Sequence, residues 1–138
     1  YNEITSNLWI GDCYSALNSN FLENNNIKLI INCSKNLKFN DFKHIKKLRI
    51  PINDDRSNES NIKMIKYFKK YYHIIDNFLK ANKGVLIHCR MGCQRSATLV
   101  ALYLMKKNNI NFKQVKQIIR SKRYYAFFPL VNFHKILL

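Results

Sequence analysis

Val85-Leu86-Ile87-His88-Cys89-Arg90-Met91-Gly92-Cys93-Gln94-Arg95-Ser96 runs from a short apolar segment through a polar loop into Ala97-Thr98-Leu99-Val100-Ala101-Leu102-Tyr103-Leu104-Met105, a stretch apolar almost all round. The first segment reads as a buried strand and Ser96 to Lys107 as a central helix. A loop between a strand end and a helix N-terminus turns successive backbone N–H groups inward and adds the positive end of the helix dipole. Together these make a nest for an anion, and phosphate is its natural occupant.

The residue types inside the loop sharpen that reading. Gly92 permits a tight turn without a Cβ clash, and Arg95 can offer two parallel N–H donors to phosphate oxygens. Cys89 sits at the floor, where a helix N-terminus and nearby cations lower a thiol pKa from ~8.5 into roughly the 3.5–7.5 range. A thiolate under a phosphate is an in-line nucleophile that would form a phosphocysteine. The Ser96 hydroxyl can donate to the sulfur as it departs, and His88 reads as a residue that orders the loop. At this chain's composition, the pattern His-Cys-x-x-Gly-x-x-Arg-Ser would arise by chance about six times in a million sequences of this length. A cysteine that merely packs before a helix needs neither the glycine nor the arginine at those offsets.

Working outward, two more apolar runs, Lys28 to Cys33 and Lys47 to Ile52, read as strands of the same sheet, the second limited by Pro51. Glu3 to Ile10 reads as a hairpin around Thr5-Ser6-Asn7, and Cys13 to Asn26 as brief helical turns. Ile62, Ile65, Phe68, Tyr72, Ile75 and Leu79 recur at helical spacing among lysines and predict an amphipathic helix of about five turns closed by Gly84. Asn111 is placed to cap a helix through Lys122 with Val115, Ile118 and Ile119 inward. Pro129 is placed to start a last helix carrying Leu130, Phe133 and Leu137. Tyr124, Tyr125, Phe127 and Phe128 read as core packing ahead of it. The expected fold is α/β: a central mixed, mostly parallel sheet flanked by helices, in a single domain over 1–138.

Composition bounds the function classes. The chain has 138 residues with 24 Lys+Arg against 8 Asp+Glu, a formal charge of +16, and 47% hydrophobic content. That core content supports one folded domain and excludes disorder. No window approaches the ~18 apolar residues of a membrane span, so the chain reads as soluble, and its Tyr1-Asn2-Glu3 start suggests trimming from something longer. The basic excess raises the local concentration of any anionic partner, leaving phosphoprotein, nucleic acid and acidic membrane all open. The excess is mostly lysine and accompanies 19 Asn and 17 Ile, a mixture that an A/T-rich genome also produces. Cys13, Cys33, Cys89 and Cys93 lack disulfide-framework or zinc spacing, so the expected setting is cytoplasmic or another reducing compartment. Cys13 and Cys33 read as core residues, with Cys33 also placed as a resolving thiol for Cys89. His44, His73 and His134 show no ligand spacing.

The loop closely resembles the signature of the cysteine-based protein tyrosine phosphatases, and its continuation Arg95 to Met105 resembles the small (atypical) dual-specificity phosphatases. Leu8-Trp9-Ile10-Gly11 with Ala16, the strand Ile27 to Asn32, Ile50-Pro51-Ile52-Asn53-Asp54, and Arg123 with Pro129 and Phe133 all fall where that family has comparable elements. The resemblance implies a phosphatase acting on phosphotyrosine and phosphoserine or phosphothreonine in proteins, without metal or cofactor. It implies Cys89 as nucleophile, Arg95 as phosphate clamp, Ser96 as thiol assistant and Asp54 as general acid. Arg90, Met91, Gly92, Cys93 and Gln94 complete the substrate-binding loop with Arg95. The chain departs from the family at Cys93-Gln94, where an apolar or small residue and then serine are usual, and at Pro129-Leu130, where Pro-Asn is commoner.

From the residues alone, Asn53 to Ser60, with three of the eight carboxylates, reads equally as an acid-bearing loop or a solvated turn. Two other functions remain in play. The same chemistry could serve RNA 5′-phosphates or phosphoinositides, which the charge favours but Met91, Cys93 and Gln94 do not. A non-catalytic phosphopeptide-binding module is disfavoured by the presence of both Cys89 and Arg95. Oligomeric state has no sequence signal here.

Overall fold

A computed structural model describes all of residues 1–138. Five strands, β1 (Asn2–Thr5), β2 (Leu8–Gly11), β3 (Ile27–Asn32), β4 (Lys46–Arg49) and β5 (Gly84–His88), form one sheet in the order β1-β2-β5-β3-β4. Only the β1–β2 hairpin is antiparallel; β2–β5, β5–β3 and β3–β4 are parallel, so the sheet is mixed and mostly parallel, as expected. The helices are α1 (Ser19–Asn24), α2 (Asn58–Lys80), α3 (Arg95–Asn108), α4 (Phe112–Lys122) and α5 (His134–Leu137).

The central strand shows why the sheet needs cover on both faces. In β5, Val85 and Ile87 join the large core with α2, α3 and α4, while Leu86 turns to the smaller cluster of Ala16, Phe21, Leu22, Ile27 and Ile30. Leu29 and Ile31 of β3 make the same alternation against Ile30. A strand buried on both faces reads as an unbroken apolar run, which is how β3 and β5 appear in the sequence. Helix α3 is buried at every position from Ser96 to Leu104, so the strand–loop–helix unit that carries Cys89 lies in the middle of the molecule.

Several expectations are corrected. Helix α2 begins four residues earlier than Ile62, where the Ser57 hydroxyl accepts from the Ser60 N–H as an N-cap, and spans 23 residues. Its buried stripe is rotated: Ser60, Asn61, Met64, Phe68, Tyr71, Tyr72 and Ile75 face inward, which leaves Ile62 on the outer face and exposed. Gly84 does not close it. The chain turns at Asn82 with φ 58°, and Gly84 opens β5, where a Cβ would come within 2.7 Å of the Asn25 carbonyl oxygen.

With only three glycines, the left-handed turn positions Asn7, Asn26, Asn82 and Asn109 fall to asparagine, the residue that tolerates them best after glycine. Strand β4 stops at Arg49, and Ile50 and Ile52 are buried in the following loop rather than in a strand. Pro129 and Leu130 lie exposed in a turn, and the last helix is one short segment after Phe133. Of the four aromatics ahead of it, Phe127 is buried but Tyr124 and Phe128 are exposed. Cys33 is in the core; Cys13 is only half-buried.

Candidate active site

The loop after β5 is held from three directions. The Cys13 N–H donates to the Arg90 carbonyl over 3.2 Å from the β2 side, and the Phe127 N–H donates to the Cys93 carbonyl over 2.8 Å. The third hold is Arg123, whose side chain is almost completely buried. Its Nε donates to the Gly92 carbonyl over 2.8 Å, its Nη2 to the Met91 carbonyl over 3.0 Å, and its Nη1 to Asn2 Oδ1 over 2.8 Å. By pulling two loop carbonyls outward, Arg123 leaves the intervening N–H groups facing in. Gly92 sits at φ 69°, and a Cβ there would lie 2.7 Å from the Gly11 carbonyl oxygen, so both backbone angle and space require glycine.

Inside this frame the predicted residues converge. Cys89 is buried, and its Sγ accepts from the Gly92 N–H over 3.3 Å and lies 3.2 Å from Ser96 Oγ. Arg95, on the first turn of α3, donates from Nη1 to the Ile52 carbonyl over 3.3 Å, while its buried Nε has no protein partner. Cys89, Met91, Cys93, Gln94 and Arg95 line a pocket of about 310 Å³, with Asp54, Phe128, Pro129 and Asn132 completing its lining. Arg90 is exposed and outside that lining, so its side chain does not meet an occupant there. Gly92 contributes through its N–H rather than as lining.

The two adjacent aspartates are separated by the geometry. Asp54 reaches the pocket and accepts from Asn132 Nδ2 over 2.8 Å. Asp55 turns away to accept from the Ser57 N–H over 3.1 Å and Ser60 Oγ over 2.8 Å, and these bonds hold its carboxyl at about 2. Asp55 is therefore a structural anion at the start of α2.

Three further groups surround the sulfur. His88 is buried, its Nδ1 lies 3.4 Å from the Cys89 carbonyl, and burial pushes its pKa down to about 4, which makes it neutral near pH 7 and a weak base. The Cys33 N–H donates to the His88 carbonyl over 2.8 Å, and burial together with the nearby Cys89 pushes the Cys33 thiol well up. Cys93 is half-buried in the pocket wall, with burial again raising its thiol.

Gln94 lines the pocket yet has its side-chain amide committed to the protein, with Nε2 donating to the Phe128 and Leu130 carbonyls over 3.1 and 2.6 Å and Oε1 accepting from the Asn132 N–H over 3.0 Å. It thus fixes residues 128–132 as a wall. This bonding also explains why Pro129 starts no helix. Arg123, Gln94 and Asn132 acquire these roles from partners more than thirty residues away, and the one hint in the sequence is that Arg123, with Pro129 and Phe133, falls where the resembled family has comparable elements.

Comparison with known proteins agrees with this geometry. The family described as "Dual specificity phosphatase, catalytic domain" matches residues 8–138. The chain is 34% identical to Dual specificity protein phosphatase 1B of Arabidopsis thaliana, over 91% of this chain and 73% of that one. It is 41% identical to the putative tyrosine-protein phosphatase AMV078 of Amsacta moorei entomopoxvirus, over 75% of this chain and 63% of that one, so it spans less than two thirds of the viral relative. The crystal structure of human DUSP28 superposes with a TM-score of 0.88 at 20% identity, covering 99% of this chain and 92% of that one, and shows the shared fold. A buried cysteine that accepts from a loop N–H at the head of a helix, together with the family match over residues 8–138 and a relative 34% identical, places the chain in the family of dual specificity phosphatase catalytic domains.

Proposed function

We propose that residues 1–138 form one catalytic domain that hydrolyses phosphotyrosine and phosphoserine or phosphothreonine in proteins through a phosphocysteine. The observation that carries this is the Cys89 sulfur, 3.3 Å from the Gly92 N–H and 3.2 Å from Ser96 Oγ, in a pocket that Arg95 and Asp54 also line. Cys89 attacks phosphorus as the thiolate, forming an S–P bond while the P–O bond to the substrate breaks. The loop amides and Arg95 hold the equatorial oxygens, and their donors are fixed before charge develops. Asp54 gives its proton to the leaving oxygen. Water then attacks phosphorus, Asp54 takes its proton, the S–P bond breaks, and inorganic phosphate leaves. Ser96 donates to the departing sulfur.

The pocket of about 310 Å³, lined by Asp54 and Phe128 among others, supports acceptance of both aryl and alkyl phosphates. Phosphorylated proteins are the partners, and a reducing compartment such as the cytoplasm keeps the Cys89 thiol available. The test is turnover of phosphotyrosine and phosphothreonine peptides side by side, with rapid acid quench to trap phosphate on Cys89. Both peptides are expected to react with a phosphocysteine in the quench; no label on Cys89 would refute the mechanism.

A further inference from the structure

Gln94 and Arg95 are neighbours at the head of α3, and both reach the segment that carries Asp54. Arg95 does so directly, from Nη1 to the carbonyl of Ile52. Gln94 does so through an intermediary. Its Oε1 accepts from the Asn132 N–H over 3.0 Å, and Asn132 Nδ2 donates to Asp54 Oδ1 over 2.8 Å. The latter is the one hydrogen bond that the Asp54 carboxyl makes within the protein, and Asn53, Asp55 and Arg56 beside it are all exposed. Nothing else holds this carboxyl in place.

The Gln94 amide can adopt one orientation only. Both of its N–H groups are taken, by the Phe128 carbonyl over 3.1 Å and the Leu130 carbonyl over 2.6 Å. Turning the amide over would set Oε1 against two carbonyl oxygens and Nε2 against an N–H, and at 5% exposure water cannot relieve the mismatch. The side chain is therefore a rigid link. A second tie runs beside it, from the Phe127 N–H to the Cys93 carbonyl. The loop around Cys89 thus anchors residues 127–132, and Asn132 is the member of that segment that meets the acid.

A proton donor works from a defined oxygen. An N–H held against Asp54 Oδ1 makes Oδ1 the carbonyl oxygen of the protonated acid and leaves the proton on Oδ2. Without that N–H the carboxyl can turn, and its two oxygens become equivalent. The Asn132 backbone N–H has Gln94 as its one partner, so the placement of the donor traces back to position 94. Serine, usual there in the resembled family, has a single hydroxyl proton and cannot bond both carbonyls. We propose that Gln94 is a positioning residue for the general acid, acting through Asn132 to fix which Asp54 oxygen carries the proton given to the leaving group. The inference rests on the phosphatase reading above and deepens its account of proton transfer.

The experiment measures kcat/KM for phenyl phosphate, whose leaving group needs a proton, and for dinitrophenyl phosphate, whose leaving group departs without one. The proteins are the wild type, Gln94→Met, Gln94→Ser, Asp54→Asn, and Asp54→Asn combined with Gln94→Met. Methionine keeps the length and bulk of the side chain without its bonds, and serine leaves room for water. Each result is the ratio of the two esters in one protein, so a reduced folded fraction cancels. Both Gln94 variants are expected to lower the phenyl to dinitrophenyl ratio by about threefold to tenfold, the effect of losing one hydrogen bond. In Asp54→Asn the ratio should already be low, and adding Gln94→Met should not lower it further, because the link then has no proton to place. An unchanged ratio in the Gln94 variants, or the same further fall in the Asp54→Asn background, would overturn the link while leaving the phosphatase reading intact. Failure of the wild type to turn over either ester would overturn both.

Discussion

Asn132 Nδ2 donates to Asp54 Oδ1 over 2.8 Å, joining the part of the pocket wall contributed by residues 128–132 to the loop that carries Asp54. The bond restrains an otherwise exposed carboxyl group at the pocket edge, where a proton donor must stand to reach the leaving oxygen.

Asp54→Ala should lower kcat by about 10²–10³-fold on a phosphothreonine peptide and much less on an activated aryl phosphate, whose leaving group departs unprotonated. Asp55→Ala should show no such loss, since its carboxyl is engaged with Ser57 and Ser60; its effect belongs in helix stability. Asn132→Ala should fall between them, with a loss of about threefold to tenfold confined to substrates that need protonation. Leaving-group dependence across the three variants decides the assignment. An exchange of the Asp54 and Asp55 phenotypes would contradict it.

Cys89→Ser should abolish turnover yet retain binding of vanadate or tungstate, because a serine hydroxyl is not ionised at neutral pH while the amide nest persists. Arg95→Lys should also be severely impaired, since an ammonium cannot reproduce a planar two-point clamp. Calorimetric titration with the oxyanion separates the two: binding intact in the first variant, weakened in the second.

Arg123→Met tests the loop frame. The substitution keeps bulk but leaves the Met91 and Gly92 carbonyls without their donors, at a cost of about 2–4 kcal/mol in stability. Arg123 touches no reacting atom, so it is a positioning residue. The informative readout is oxyanion affinity in the folded fraction, expected to fall along with stability. Unchanged affinity would assign Arg123 to the fold alone.

Burial of His88 gives the stability a pH dependence of definite sign. Its folded pKa is about 4 against 6.5 in the unfolded chain, so between these values the unfolded state binds more protons. Stability is thus complete above about pH 6.5, falls as pH drops through that window, and levels near pH 4 after a loss of about 3 kcal/mol. Urea unfolding at pH 7.5, 5.5 and 4.5 should show the decline, and His88→Asn should flatten it. A slope of equal size in the variant would assign the effect to other groups.

Legibility in the sequence followed the range of the interactions. Helix α4 was readable to the residue because the Asn111 cap, its reciprocal Gln114 bond and the apolar spacing all lie within one segment. The nucleophile loop was readable because an anion nest needs glycine, arginine and serine at fixed offsets from the cysteine. Ile62 lies outside the buried stripe because apolar spacing fits two overlapping stripes of this helix, and the polar Ser60 and Asn61 that complete the buried one carry no apolar signal. Pro129 was misread since the Gln94 side chain overrides the local preference of proline for a first helical turn. The walls of the pocket depend on pairings across 34 to 78 residues, and no local pattern announces them.

Gln94 has one more consequence. The floor of the pocket is a single contiguous stretch, whereas its walls arrive from positions 54 and 128–132 and are tied to it through side-chain amides. Inheritance of the chemistry and inheritance of the clientele are thereby separable. Drift within 128–132 can redraw which phosphoproteins are admitted while Cys89, Arg95 and Ser96 stay untouched, and one glutamine sets how far that drift can go before the entrance loses its shape.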